Sequence, residues 1–327
     1  MKIKWMAFII VSLLLIETLL LLTLYQIYKT SRQYDTDIFL NQSSHTQTVV
    51  PKYKEIEDDS IVEMPDETVE EPLGRFYVMQ EEKIINHFET FEEALAFADN
   101  YDDSCVYFTE TQKGIWCKED VLSESVQIHV NPIQQMPELA RGCEVTSLAM
   151  LLNHAGLDVS KMTLAEEIAK NPIPITYQNG KVYAGDMNEG FLGDIYSFQN
   201  DGLGVYHRPI YHLAQQYLGD DALNISDFDF EHIYRLLNRG YPVWIITTST
   251  FSPLPESSFQ TWYTPDETPM RVTYKEHSVL VTGYDQNNVY FNDPLSGHSK
   301  SKKQNFIAAW EQMGKQAITY TKMFSIY

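Results

Sequence analysis

QMPELARGCEVTSLAMLLNHAG (135–156) places a glycine and a cysteine at the head of a helical pattern. Val145, Leu148, Ala149 and Leu152 recur at helix spacing, and Gly156 supplies the stop. Cys143 falls in the first turn. There the backbone N–H groups lack helical partners and the dipole end is positive, which favours thiolate. Gly142 lets the chain turn sharply and leaves the sulfur accessible. Most cysteines are small buried residues, so this position makes a nucleophile only if a base stands nearby.

The base is sought among nine histidines. His277 opens the alternating run HSVLVTGY, with Val279 and Val281 on its face, after the charged Lys275 and Glu276. A polar ring at a strand start lies at the mouth of a sheet. His154, late in the Cys143 helix, reads as structural, and His212 and His232 read as surface residues of helical segments. Asp293, in the next strand, would orient the imidazole and stabilise its cation. Simple pairing across the loop DQNN (285–288) would put His277 and Asp293 on opposite sides of the sheet, so a bulge is predicted. Asn292 is the orienter if the register is simple. Gln135 or its neighbour Gln134 could donate to a developing oxyanion beside the Cys143 N–H.

Around these residues the sequence predicts a helix near 163–170, a Gly-bearing region GDMNEGFLGD (185–194) and a helix over 229–238. The strands YPVWIITT, HSVLVTGY and NVYFND and a helix near 306–312 follow. A helical front half and a strand-rich back half read as α+β. The 185–194 region either lines a cleft or is a plain structural loop, and Gly190 rules out an EF-hand.

Residues 5–28 are almost wholly apolar, long enough to span a bilayer, with Glu17 the one charge. Residues 1–32 therefore read as a retained single-pass anchor, with flanking charges that favour an inside amino terminus and an outside bulk. Residues 33–72, rich in Ser, Gln and acidic residues, read as a disordered linker. Residues 73–126 read as a small αβ domain of binding or spacer role. RFYVM, CVYFT and GIWC are its strands, and a Thr90/Glu93 capping box opens the helix FEEALAFADNY.

The 327 residues are 44% hydrophobic and 13% aromatic, enough for a packed core, and carry a net charge of −21. That charge excludes nucleic acid as a partner and argues against adhesion to anionic lipid. Three cysteines leave one thiol over: Cys105 and Cys117 are expected to pair, leaving Cys143 free. No Cys-x-x-Cys or Cys/His spacing supports zinc, so neither metal nor cofactor is expected.

The run from Gln135 to Gly156 resembles the C39-like group of bacterial cysteine peptidases, relatives of the double-glycine peptidases that trim bacteriocin leaders. The resemblance rests on Gln before Pro-x-Leu, on Gly-Cys-Glu, and on Ser-Leu-Ala-Met. GDMNEGFLGD, EHSVLVTGY and YFNDPLSG follow in the same order. It covers most of residues 127–327 and implies a papain-like α+β fold there. It also implies Cys143 as nucleophile, His277 as general base, Asp293 as orienter and Gln135, rather than Gln134, as oxyanion donor. Ala140-Arg141 stands where Pro-Thr or Pro-Asn is usual, a change read as confined to a surface loop. The chain has no Gly-x-x-x-x-Gly-Lys-Ser/Thr run of an exporting ATPase, so leader cleavage does not carry over. The expected activity is extracytoplasmic hydrolysis of a peptide or protein substrate. The same residues would serve an amidase or transglutaminase-like acyltransferase on cell-wall peptide, and a binding protein could keep the fold without catalysis.

Overall fold

A computed structural model describes residues 74–321. The apolar segment 5–28 and the linker 33–72 lie outside the described residues. Among the described residues no helix is long and apolar enough to cross a membrane.

The first part is an antiparallel sheet of β1 (Phe76–Gln80), β2 (Lys83–Phe88), β3 (Ser104–Phe108) and β4 (Lys113–Cys117), in the order β2-β1-β3-β4. Helix α1 (Phe91–Ala98) covers one face with Phe91, Ala94, Leu95 and Ala98. Thr90 caps it, its hydroxyl oxygen accepting the Glu93 N–H at 3.2 Å. Cys105 and Cys117 sit opposite each other on β3 and β4 and form a disulfide, leaving Cys143 as the free thiol.

The second part is built on a mixed α/β plan. Strand β5 (Val126–Gln127) leads through a long loop into α2 (Cys143–His154), followed by α3 (Lys161–Glu167). Every residue of α2 from Cys143 to Leu152 is buried, including Glu144, Thr146 and Ser147. The helix is therefore central, not merely striped, as befits one with few charges around its circumference. Strands β6 (Thr176–Gln178) and β7 (Lys181–Tyr183) then precede α4 (His207–Leu218), β8 (Ala222–Asn224) and α5 (Phe230–Asn238). The back half is β9 (Val243–Thr248), β10 (Gln260–Tyr263), β11 (Pro269–Val272), β12 (Glu276–Tyr284), β13 (Asn288–Asn292) and β14 (Lys300–Lys302). Helix α6 (Lys303–Gln312) and β15 (Ala317–Tyr320) complete it.

The main sheet runs β14-β13-β12-β9-β15-β8, with β5 paired to β12. β9 and β12 are buried almost throughout because both faces of this sheet centre are covered. A smaller sheet, β11-β10-β7-β6, has its own cluster of Ala184, Met187, Leu192, Leu203, Trp262 and Val272.

The first part packs on α5 rather than standing apart: one apolar cluster runs from Phe76 and Trp116 through Leu236 to Tyr320. Here the surface reading of His232 fails. The residue is 6% exposed, its ring stacked on Trp116 at 5.4 Å and edge-on to Phe228 at 5.3 Å. The basic neighbours Arg235 and Arg239 dock on the same sheet edge, Arg235 over the Trp116 ring at 5.9 Å. Arg239 pairs with Asp120 at 2.6 Å and donates to Gly114 O, while Arg235 reaches the Cys117 and Asp120 carbonyls. His154 is structural, as read: its Nδ1 meets the Tyr320 hydroxyl at 2.5 Å.

With one disulfide and one free cysteine, thiol titration of the unreduced, denatured full-length chain should count one thiol. A count of three would remove the Cys105–Cys117 cross-link.

Candidate active site

Three elements converge on Cys143. The loop from Gln135 to Gly142 delivers it to the first turn of α2. Gly142 has φ −124°, so left-handed backbone is not what selects glycine here. A Cβ at this position would lie 2.6 Å from the Leu139 side chain. The glycine thus allows close packing beneath the helix start, which is a different reason from the sharp turn expected.

Helix α2 lies against β12 where that strand's edge is not taken by β13. The Ser278 N–H points at Cys143 Sγ, and the Ser278 carbonyl accepts the Ser147 hydroxyl at 3.1 Å. The sulfur therefore rests beside the residue that follows His277.

The β12–β13 hairpin contains a bulge. Tyr284 pairs with Val289 and Gly283 with Tyr290, but Val281 pairs with Phe291 and Leu280 with Asn292. One residue, Thr282, is skipped. Without the skip, Asp293 would fall opposite Leu280 and face away from His277. With it, Asp293 falls beyond Asn292 on the side of Val279 and His277. His277 Nε2 and Asp293 Oδ1 are 2.8 Å apart, both residues buried. The Leu295 N–H also donates to Oδ1 at 2.9 Å, and Ser296 donates its hydroxyl to Oδ2. Burial works to raise the Asp293 pKa. The His277 hydrogen bond and charge, with Ser296 and Leu295, outweigh it and hold the carboxyl well below the usual range. Asn292 is occupied elsewhere, its amide donating to Val130 O at 2.9 Å.

Gln135 is buried, and its Nε2 donates to Ala140 O at 3.0 Å, three residues before Cys143. An amide nitrogen carries two hydrogens, so one remains. Its Oε1 is enclosed without a partner. Ala140-Arg141 is not a plain surface-loop change. Ala140 is buried, and Arg141 donates to the carbonyls of Asp194, Ser197 and Asn200 at 2.9, 2.6 and 3.2 Å. It bolts the 194–200 loop next to the sulfur, with Phe198 over its guanidinium at 5.0 Å.

The expected thiolate character of Cys143 meets opposing influences in the fold. Burial pushes the thiol well above its usual pKa, the charges of Glu144 and Glu276 push the same way, and the Ser278 N–H only partly opposes them. The thiol donates to Glu144 Oε2 at 3.2 Å rather than to His277. The helix-terminus effect, at most about 2 kcal/mol, loses to desolvation and two acidic neighbours. Burial also raises Glu144, and raises Glu276 well above the carboxylate range with the Glu144 charge adding to it.

Sequence reasoning missed Glu276 as a neighbour of Cys143. It quoted the residue only as a charge before His277, and no local signal connects it to a helix so far back in the chain. The Val205 N–H donates to Glu144 Oε1 at 2.9 Å. At Gly204 a Cβ would stand 2.6 Å from Glu144 Oε1 and 2.8 Å from Glu276 Oε2, so backbone alone fits over the two carboxyls. The 185–194 region holds this cover in place: Leu192 and Gly204 are hydrogen-bonded, as are Leu192 with Leu203 and Met187 with Tyr206.

A free cysteine on a buried helix, set beside a strand that presents a His–Asp pair, is the site type of a cysteine peptidase. Residues 127–318 match the Peptidase C39 like family, and the chain belongs to it. YvpB of Bacillus subtilis (strain 168), itself uncharacterized, is 44% identical over 217 residues, spanning 65% of this chain and 83% of that protein. A Bacillus anthracis crystal structure described as a candidate C39-like peptidase aligns with TM-score 0.57 and 46% identity. It covers 62% of this chain and 100% of that one. Xylellain, a cysteine protease of Xylella fastidiosa, aligns at TM-score 0.32 and 13% identity over 63% of this chain and 88% of that one, and this likeness carries no argument.

At neutral pH Cys143 should alkylate more slowly in the native chain than in denaturant, with the rate rising as pH rises. Glu276→Gln should speed it, by about tenfold for each unit the thiol pKa falls. Fast native alkylation at pH 6 would show that the thiolate forms after all.

Proposed function

We propose that this chain hydrolyses peptide bonds with Cys143 as nucleophile, in a papain-like arrangement. The observation that carries the reading is the bulged hairpin that pairs His277 with Asp293, beside a strand edge on which the Cys143 sulfur rests. Asp293 takes Nε2, so Nδ1 is the ring nitrogen left for the sulfur.

Burial and the two neighbouring carboxyls push the thiol pKa up, so in this reading deprotonation accompanies attack rather than preceding it. His277 Nδ1 accepts the thiol proton as Sγ bonds to the substrate carbonyl carbon. Asp293 stabilises the imidazolium. The oxyanion is held by the Cys143 N–H and the second N–H of Gln135 Nε2. The carbon–nitrogen bond then breaks as His277 returns the proton to the leaving amine, and water hydrolyses the thioester through the same base. A peptide-sized ligand is supported by the aromatic groups left on the surface nearby: Tyr196 and Phe198 on the loop held by Arg141, and Tyr274 before β12.

The apolar segment 5–28 completes the proposal as a single-pass anchor in a bacterial cell membrane. The peptidase would stand outside the cytoplasm at the end of an acidic linker, where a disulfide such as Cys105–Cys117 persists.

Full-length chain in detergent should cleave members of a peptide library, and Cys143→Ala should cleave none. Gln135→Ala should lower kcat about a hundredfold with KM little changed. Equal turnover by Cys143→Ala and wild type would end the peptidase reading, and an unchanged kcat in Gln135→Ala would remove that residue from the oxyanion site.

A further inference from the structure

Cys143, Glu144 and Glu276 each bring a ligand atom within 4.8 Å of the others. Cys143 Sγ and Glu144 Oε2, at 3.2 Å, already stand at the spacing of two ligands on one ion. For zinc–sulfur and zinc–oxygen bonds in a tetrahedron that spacing is about 3.6 Å. The other Glu144 oxygen is fixed by the Val205 N–H, so the side chain has one orientation.

Two independent observations point to something missing beside this cluster. Glu276 Oε1 is enclosed and has no hydrogen-bond partner. Ser278 Oγ, two residues along the same face of β12, is likewise enclosed and unpartnered, and Ser278 is fully buried. Buried polar atoms normally find partners, and each exception needs an explanation. The charges of His277 and Lys170 act on Glu144 from a distance, without an ion pair to it among the described residues. The Gly204 backbone closes over both carboxyls, so whatever seats against them must be compact. A divalent ion meets that condition.

We propose that Cys143, Glu144 and Glu276 form a binding site for a thiophilic divalent cation of the zinc class, which occupies the nucleophile and holds the resting peptidase silent. One thiolate and two carboxylates give such an ion three protein ligands and leave a fourth position for water. Binding forms the sulfur–metal bond as the thiol proton passes to solvent, so uptake is tied to proton release. The silencing rests on the peptidase reading; the binding does not.

The test is a titration of the full-length chain in detergent, its Cys105–Cys117 disulfide intact, with Co²⁺, whose bond to sulfur gives a charge-transfer band. Zn²⁺ is then measured in competition with a chromophoric chelator. The expected result is one equivalent bound, a band that Cys143→Ser abolishes, and affinity at least about tenfold weaker in Glu276→Gln. Zn²⁺ at that affinity should also halt peptide cleavage, with recovery on chelation. Glu276 is only partly buried, so its variant carries the test should Glu144→Gln fail to fold; a thermal melt of each variant checks this. Absence of the band overturns the proposal. So does a band whose affinity is unchanged in Glu276→Gln but lost in His277→Ala, which would place the ion on the sulfur and imidazole instead. Metal binding without any peptide cleavage would leave the site standing and sink only the peptidase reading.

Discussion

The site depends on one two-point contact, in which the Ser278 N–H meets the Cys143 sulfur and the Ser278 carbonyl takes the Ser147 hydroxyl. An exposed strand edge is a row of unpaired donors and acceptors. Here the head of α2 covers the part of that edge β13 leaves open. The same contact fixes the sulfur beside the residue that follows His277, so the position of Cys143 is set by backbone geometry rather than by long side chains. Trp244 Nε1 donates to the Glu144 carbonyl at 2.9 Å and ties the helix to β9 as well.

The bulge at Thr282 complements this. In a regular hairpin the two-residue period of the strand would put the acid and the imidazole on opposite faces. Skipping one residue inverts the facing of everything beyond it, so Asp293 reaches His277 while Val289 and Phe291 stay in the core. The acid is then held from the far side by Ser296 and the Leu295 N–H. The need for this irregularity follows from counting residues between His277 and Asp293, and it was legible before any coordinates.

Other parts were legible for similar reasons. The helix at Cys143, the strands around His277 and Asp293 and the Thr90 cap all announce themselves through local pattern. Strand β2 and the β11-β10-β7-β6 sheet do not. Their segments are short or mix polar and apolar residues without a sustained period, and tertiary packing decides them. His232 shows the same limit: Glu231 and Arg235 suggested a solvated face, yet the ring is buried against Trp116. Its burial depends on a partner sheet that the local sequence of α5 does not encode.

The charge around the sulfur was the least legible feature, and it changes the chemistry most. A helix terminus is visible in the sequence, and it favours thiolate. Burial and the meeting of Glu144 with Glu276 are visible only in the fold, and they favour thiol. The two influences differ in range. The dipole acts within a turn and is modest, whereas two acidic groups in a site with little water act at short distance and low screening. A cysteine in such a setting is held toward its protonated, less nucleophilic form. In the proposed hydrolysis its attack would coincide with proton transfer to His277, and the Asp293 carboxylate, held ionised by its hydrogen bonds, would stabilise the imidazolium so formed.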